Sequence, residues 1–321
     1  MSIERLIRLA GEREMPSTEA MERARSAAEA SWRQALRQAP ARPVRWRLWV
    51  PLACAAALGA LVLMYRGTEK PVAVPVPVAQ VVTLQGGATL QDARGEGSVT
   101  KDTAVFAGMT LATREGRVAV AIPGGLSLRL DHQTRLQFDG PEHVTLLTGS
   151  LYVDSGGLNA GPSLSVRTPA GEVSHVGTQF QVSVSGQTTQ VRVREGRVAL
   201  EGHGGVPPQV IAAGDGLEIR GSEEHWLRGL ATYGPDWEWA TQLARPLEIE
   251  DRPLAEFLAW LAREHGWQVR YGSDTLQQRM HDIRLHGSFD GLETTAMLER
   301  VALVTGVPLD VRDGVLWVGA Q

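Results

Sequence analysis

A single cysteine, Cys54, occurs in 321 residues, so no intrachain disulfide can form. No Cys/His cluster has the spacing of a structural zinc site, and His281 and His286, five residues apart, lack a third ligand at a suitable distance in sequence. Also missing are a Ser/His/Asp order, a glycine-rich phosphate loop and a paired acid motif. These absences point away from redox chemistry and catalysis, and the expectation is a non-enzyme with no cofactor and no metal. The basic residues near the N-terminus do not alternate with aromatics as a stacking surface would, which excludes direct nucleic-acid binding as the first reading. From Leu48 to Tyr65 there is no charge at all.

What is present is ordinary globular composition, 43% hydrophobic and 21% charged, in a chain long enough for two or three compact units. Charge is uneven: the first 47 residues hold ten Arg and six Glu, about +4, against −4 for the whole chain. The uncharged stretch 48–65, LWVPLACAAALGALVLMY, is 18 residues long. As a helix it spans about 27 Å, close to the roughly 30 Å of a bilayer core. Arg33, Arg37, Arg42, Arg45 and Arg47 crowd its N-terminal side, and Trp46, Trp49 and Tyr65 sit where headgroups would be. The expectation is one transmembrane helix with the N-terminus cytoplasmic and residues 66–321 on the other side. A cleaved signal peptide fits less well, because its basic region would be too long and no small-residue cleavage site follows.

Inside that anchor, residues 3–10 and 17–38 are rich in Ala, Glu and Arg and predict helices, with Ser17 and Thr18 in the capping region. Met21, Ala24, Ala28, Trp32 and Ala35 fall close to one face, a stripe too thin for an independent core and suited to a partner protein. Beyond the anchor, residues 66–80 are a Pro-rich spacer whose PVAVPVPV favours extended polyproline.

Residues 81–221 alternate short apolar strands with Gly, Asp and Asn turns, which predicts an all-β domain. Turn-plus-strand units starting at Gly116, Gly149 and Gly196 suggest a solenoid or a strongly coiled sheet, with a plain sandwich as the competitor. The stretch VRTPAGEVSHVGTQFQVSVSGQTTQVRVREGRVAL, 166–200, resembles the FecR signature. Thr168 ends its V-x-T strand; Gly177, Thr178, Phe180 and Val182 form G-T-x-F-x-V; Val191, Val193, Gly196 and Val198 form V-x-V-x-x-G-x-V. These residues have a structural role in the expectation. The resemblance covers about 105–220 and implies a single-pass inner-membrane regulator of a Gram-negative bacterium. Such a protein reads a TonB-dependent transducer and controls an extracytoplasmic-function sigma factor.

Residues 222–246 carry Trp226, Tyr233, Trp237 and Trp239, an aromatic linker expected to clasp two outer domains. In the last 75 residues, Leu254, Phe257, Leu258 and Leu261 keep helical spacing, and a second copy of the pattern falls on Met297, Leu298, Val301 and Ala302. With a strand at LEIED, another at IRLHGSF and a closing hairpin, the predicted order over 247–321 is βαββαββ. That order resembles the secretin and TonB short N-terminal domain, and its sheet edges suggest contact by strand addition. The fold expectation is therefore multidomain and mainly β, with a helical N-terminus, one membrane helix, a solenoid-like FecR domain and an α+β terminal module. The functional expectation is a membrane relay between a transducer and a sigma factor. The alternative is a membrane-anchored envelope scaffold that binds a secretin or a TonB-dependent receptor.

Overall fold

The computed structural model describes residues 17–37, 76–156, 164–204, 206–289 and 291–319, the side chains of 34–37 and 176 excepted. The chain divides into two units, Met1–Ala73 and Val74–Gln321. The helix predicted over 3–10, the apolar stretch 48–65 and most of the Pro-rich spacer lie outside the described residues. Among the described residues no helix is long and apolar enough to cross a membrane. The expectation of a single-pass inner-membrane protein, with residues 66–321 beyond the bilayer, is corrected on this finding.

In the first unit, helix α1 (Thr18–Arg37) begins where the Ser17 hydroxyl and carbonyl both accept from the Ala20 N–H, at 3.4 and 2.9 Å. Glu19 in the first turn suits the positive end of the helix dipole. Glu29 lies 3.9 Å from Arg25 and 3.4 Å from Arg33, one turn away on either side, which supports the exposed helix by a few tenths of a kcal/mol per pair, about 0.2–0.5.

The second unit opens with a 15-stranded sheet. Its early strands are β1 (Ala79–Gln85), β2 (Ala88–Asp92), β3 (Gly95–Ser98), β4 (Ala104–Val105), β5 (Thr110–Thr113), β6 (Arg117–Ile122), β7 (Leu126–Leu130) and β8 (Arg135–Phe138). The long strands β9 (His143–Asp154), β11 (Gly171–Ser185) and β12 (Thr188–Gly202) carry the middle, with β10 (Ser165–Thr168) between the first two. The edge is built by β13 (Gln209–Ala212), β14 (Gly216–Arg220) and β15 (Glu223–Leu227). Alternation drives the burial: Leu128, Leu130, Leu151, Val153, Phe180, Val182, Val191 and Val193 all face one core at 0–1% exposure.

A parallel solenoid would stack its rungs in one direction, and that part of the expectation is also corrected. Apart from the parallel pair β9–β10, every described pairing in this sheet is antiparallel. Compactness comes instead from long strands that change neighbours halfway. The first half of β9 pairs with β8 and β10, and its second half with β7 and β11. Gly149, at φ 91°, stands at that switch, where a Cβ would come 2.4 Å from Thr134 Cα.

After β15 come helix α2 (Pro235–Thr241), β16 (Arg252–Pro253), α3 (Leu254–His265), β17 (Gln268–Tyr271), α4 (Asp274–Asp282), β18 (Arg284–Leu285), α5 (Thr294–Thr305), β19 (Leu309–Arg312) and β20 (Val315–Val318). The order beyond 247 is therefore βαβαβαββ, which replaces the predicted βαββαββ. The extra helix is α4: the Ser273 hydroxyl accepts from Leu276 N–H at 3.1 Å to start it, yet only Met280 of its residues is buried, so it carries almost no apolar period. LEIED forms no strand, and IRLHGSF keeps only Arg284–Leu285 before Gly287 turns at φ 101°. The sheet here is β17–β20–β19, with β17 parallel to β20, and β16–β18 is a separate pair. Leu254, Phe257, Leu258 and Leu261 of α3 pack with Leu298, Val301, Leu316 and Val318 into a second core.

Candidate functional site: a bulged corner and a buried junction

Two arrangements gather the residues with an identifiable role. The first is the corner that the signature residues make. In the β11–β12 ladder, Val176 opposes Arg197 and Gln179 opposes Glu195, so Gly177 and Thr178 together face Gly196 alone. This is a β-bulge, and it bends the hairpin. Before it β11 pairs with β10 and β12 with β13; beyond it they pair with β9 and β14. Gly177 and Gly196 hold φ of 59° and 79°, and a Cβ on Gly196 would lie 2.6 Å from Thr178 Cγ2 and 2.7 Å from the Gly177 carbonyl. Fully buried Thr178 is tied to Ser155, whose hydroxyl accepts from the Thr178 N–H at 2.8 Å and donates to its carbonyl at 3.1 Å.

The other signature residues sit around that bend. Phe180, Val182, Val191, Val193 and Val198 are all buried in the sheet core. Thr168 closes the β10–β11 turn by donating its hydroxyl to the Gly171 carbonyl at 2.9 Å. His175 packs against Phe180, ring centroids 5.6 Å apart, and burial holds its imidazole below the ordinary histidine range.

The second arrangement lies on the opposite face of the same strands, where the terminal module covers them. Cross-strand register aligns Arg129, Tyr152, Gln181 and Arg192 in one row over β7, β9, β11 and β12. Next to it run Asp154, Gln179 and Glu195. The C-terminal turn of α3 enters this polar stripe. Arg129, 1% exposed, grips the Glu264 carboxylate with both terminal nitrogens at 2.8 and 3.0 Å and also donates to the Ala240 carbonyl at 2.8 Å. Arg263 donates to Asp154 at 2.6 Å and lies 3.2 Å from Glu195 without hydrogen-bond alignment. Arg194 donates to the Glu264 carbonyl at 2.9 Å and the Thr232 carbonyl at 2.6 Å, which places a cation at the negative end of α3.

Aromatic rings floor the junction. Trp237 of α2 is 1% exposed, meets Tyr152 edge-on at 6.1 Å, donates its indole N–H to the Ala231 carbonyl, and is flanked by Arg192 and Arg194 at 5.1 and 5.4 Å. Trp239 meets Tyr152 at 6.5 Å, whereas Trp226 lies under Arg228, 4.0 Å away, and packs against the sheet core. Gly266 ends α3 at φ 69°, and its Cα approaches so closely that a Cβ would strike the Thr232 carbonyl at 1.9 Å.

Electrostatics follow from burial and pairing. Burial works to lower the Arg129 pKa, but Glu264 carries it well above its ordinary value. Burial would raise Asp154, yet Arg263 and Arg129 hold it below the usual carboxylate range. Burial pushes the Tyr152 hydroxyl up to about 12, and burial with Arg194 nearby pushes His265 down to about 4. Each charge is spent on a partner inside the protein, so the arrangement holds two layers together. Sequence reasoning missed Arg129, Tyr152, Asp154, Arg194, Arg263 and Glu264. The available signal was that Arg129, Arg192 and Arg194 stand on the side of their strands opposite the inward apolar residues.

The N-terminal stripe is placed differently. Met21, Ala24, Ala28 and Trp32 lie on α1 within about 80° of arc at 100° per residue, and all four are exposed, Met21 at 52% and Trp32 at 71%. Ala35 belongs to the same helix, its side chain outside those described.

No curated protein matches the chain. Two crystal structures of a candidate anti-sigma factor from Parabacteroides distasonis ATCC 8503, at 1.65 and 2.50 Å, are similar at 16% identity. They cover 66% and 65% of this chain and 99% and 97% of their own, with TM-scores of 0.35 and 0.34. The bulged corner, the core valines and the strands from Met109 to Ala199 fall in the segment, residues 109–199, that matches the FecR protein family.

Proposed function

We propose that this chain regulates sigma-factor signalling by protein contact alone, without catalysis. In this reading the unit Val74–Gln321 receives a TonB-dependent transducer, and α1 presents the face that holds an extracytoplasmic-function sigma factor. The FecR segment at 109–199 carries the reading, because the resemblance implies that role. Two features support it. The charged groups at the buried junction are paired internally, which suits a scaffold for contact better than a reaction centre. The α1 face exposes a tryptophan and a methionine on a single helix, and burying large apolar side chains of this kind dominates most protein–protein contacts.

The test uses the full chain against purified extracytoplasmic-function sigma factors of the same genome. One of them binds, and Trp32→Ala weakens that binding roughly 30-fold, the size expected of an aromatic anchor worth about 2 kcal/mol. If no sigma factor binds the wild-type chain, or if Trp32→Ala together with Met21→Ala leaves affinity unchanged, the assignment of this face fails.

A further inference from the structure

The terminal module has a groove of about 630 Å³ between β18 and α5, at the margin of the second core. Its floor is apolar, made by Ile283, Leu285, Phe289 and Val301, and Val304 stands on its wall at 77% exposure. Its rim is basic: Arg279, Arg284, Arg300 and His286 surround the floor, and none of the described lining residues is a carboxylate. Only His286 of these four meets an acid among the described residues, Glu250 at 3.0 Å, while Arg284 donates to the Asp251 carbonyl. Three arginines around one apolar floor stand out in a chain of net charge −4 whose acidic excess lies outside the first 47 residues.

The backbone beside the groove is also unfinished. Ile283 and Leu285 accept from Leu254 and Asp251 N–H groups at 2.8 and 2.9 Å, so both face β16. Strand alternation then turns the Arg284 N–H and C=O to the opposite side, and no described strand pairs with β18 there. An open edge, an apolar floor and a cationic rim select one kind of occupant. The apolar side chains of an extended segment would fill the floor, its carboxylates would meet Arg279 and Arg300, and its backbone would pair with Arg284.

Resting on the reading that Val74–Gln321 receives a partner, we infer that the groove between β18 and α5 binds an acidic extended segment of a partner protein, which adds as a strand beside Arg284.

The experiment measures fluorescence anisotropy of a labelled eight-residue peptide alternating Val and Glu, titrated with the full chain, beside a Val/Lys peptide of the same length. The Val/Glu peptide binds and weakens with salt, and the Val/Lys peptide does not. The double variant Arg279→Glu with Arg300→Glu, both exposed and therefore compatible with folding, lowers affinity at least 10-fold. Amide exchange at Arg284 slows in the peptide complex. Equal binding of both peptides, no effect of the double variant, or unchanged exchange at Arg284 overturns the inference. Self-association of the wild-type chain that is lost in the double variant also overturns it, by giving the groove to a second copy. Sigma-factor binding measured on the same samples separates the two claims. Sigma binding without peptide binding sinks only the groove; peptide binding without sigma binding sinks only the α1 assignment.

Discussion

Gly196 shows how a signature residue can be conformational in origin. Its φ of 79° disfavours an L side chain, and the nearest obstacles to a Cβ, at 2.6 and 2.7 Å, include backbone that cannot swing aside. Gly196→Ala is expected to cost about 2–4 kcal/mol, the sum of left-handed strain and a forced shift at the bulge. For a unit of this size that is a fall of roughly 5–15 °C in Tm by calorimetry. Gly97→Ala is the control: nothing lies within 4 Å of its Cβ, and its change should stay within about 0.5 kcal/mol. Equal effects at the two sites would remove the bulge as the reason for the G-T and later Gly pattern. The same residues explain why the β domain was legible. Phe180, Val182, Val191, Val193 and Val198 alternate inward, and Gly177, Thr178 and Gly196 mark a bulge where the alternation breaks. The arginine row was not legible, because a period of two tells which residues leave the core but not what covers the other face.

At the scale of elements, helix α3 is fixed at both ends by different means. Its apolar stripe, Leu254, Phe257, Leu258 and Leu261, could be read from spacing, as could the Gly266 stop. Helix α4 could not, since it buries little beyond Met280 and relies on the Ser273 cap. The last turn of α3 also carries His265, stacked on Trp267 at 4.3 Å and hydrogen-bonded to the Thr294 hydroxyl at 3.0 Å. Folding lowers its pKa from 6.5 to about 4, through burial first and Arg194 second. The unfolded chain therefore binds the proton more readily than the folded one. The stabilising contribution is fully present above pH 6.5, and it is lost as pH falls from there through 4. Denaturant unfolding of the full chain is expected to show a loss of about 1–2 kcal/mol between those limits, discounted for partial exposure, that is reduced in His265→Gln. A variant with the same acid-side slope as wild type would show that other groups control it.

At the scale of the second unit, two hydrophobic cores meet across the Arg129–Glu264 pair and the Trp237 wedge. A contact between layers made of apolar surface alone could slide; a bidentate pair with both partners under 10% exposed is tied to one geometry. Removing one partner leaves a desolvated charge, so Glu264→Ala is expected to cost about 3–5 kcal/mol. That cost falls on the seam, because neither core loses a member. Val74–Gln321 should accordingly unfold in one calorimetric transition as wild type and in two when Glu264 is replaced by Ala, with the terminal module melting first. Replacing Arg129 by Met alongside Glu264→Leu removes both charges together and should restore much of the lost stability, since apolar replacement of a buried pair is often neutral. A single transition in Glu264→Ala, lowered evenly across both cores, would mean that they are coupled through Trp237 and the backbone contacts around Thr232 and Gly266. In that case α2, and not the ion pair, is the element through which a ligand on the terminal module would reach the β domain.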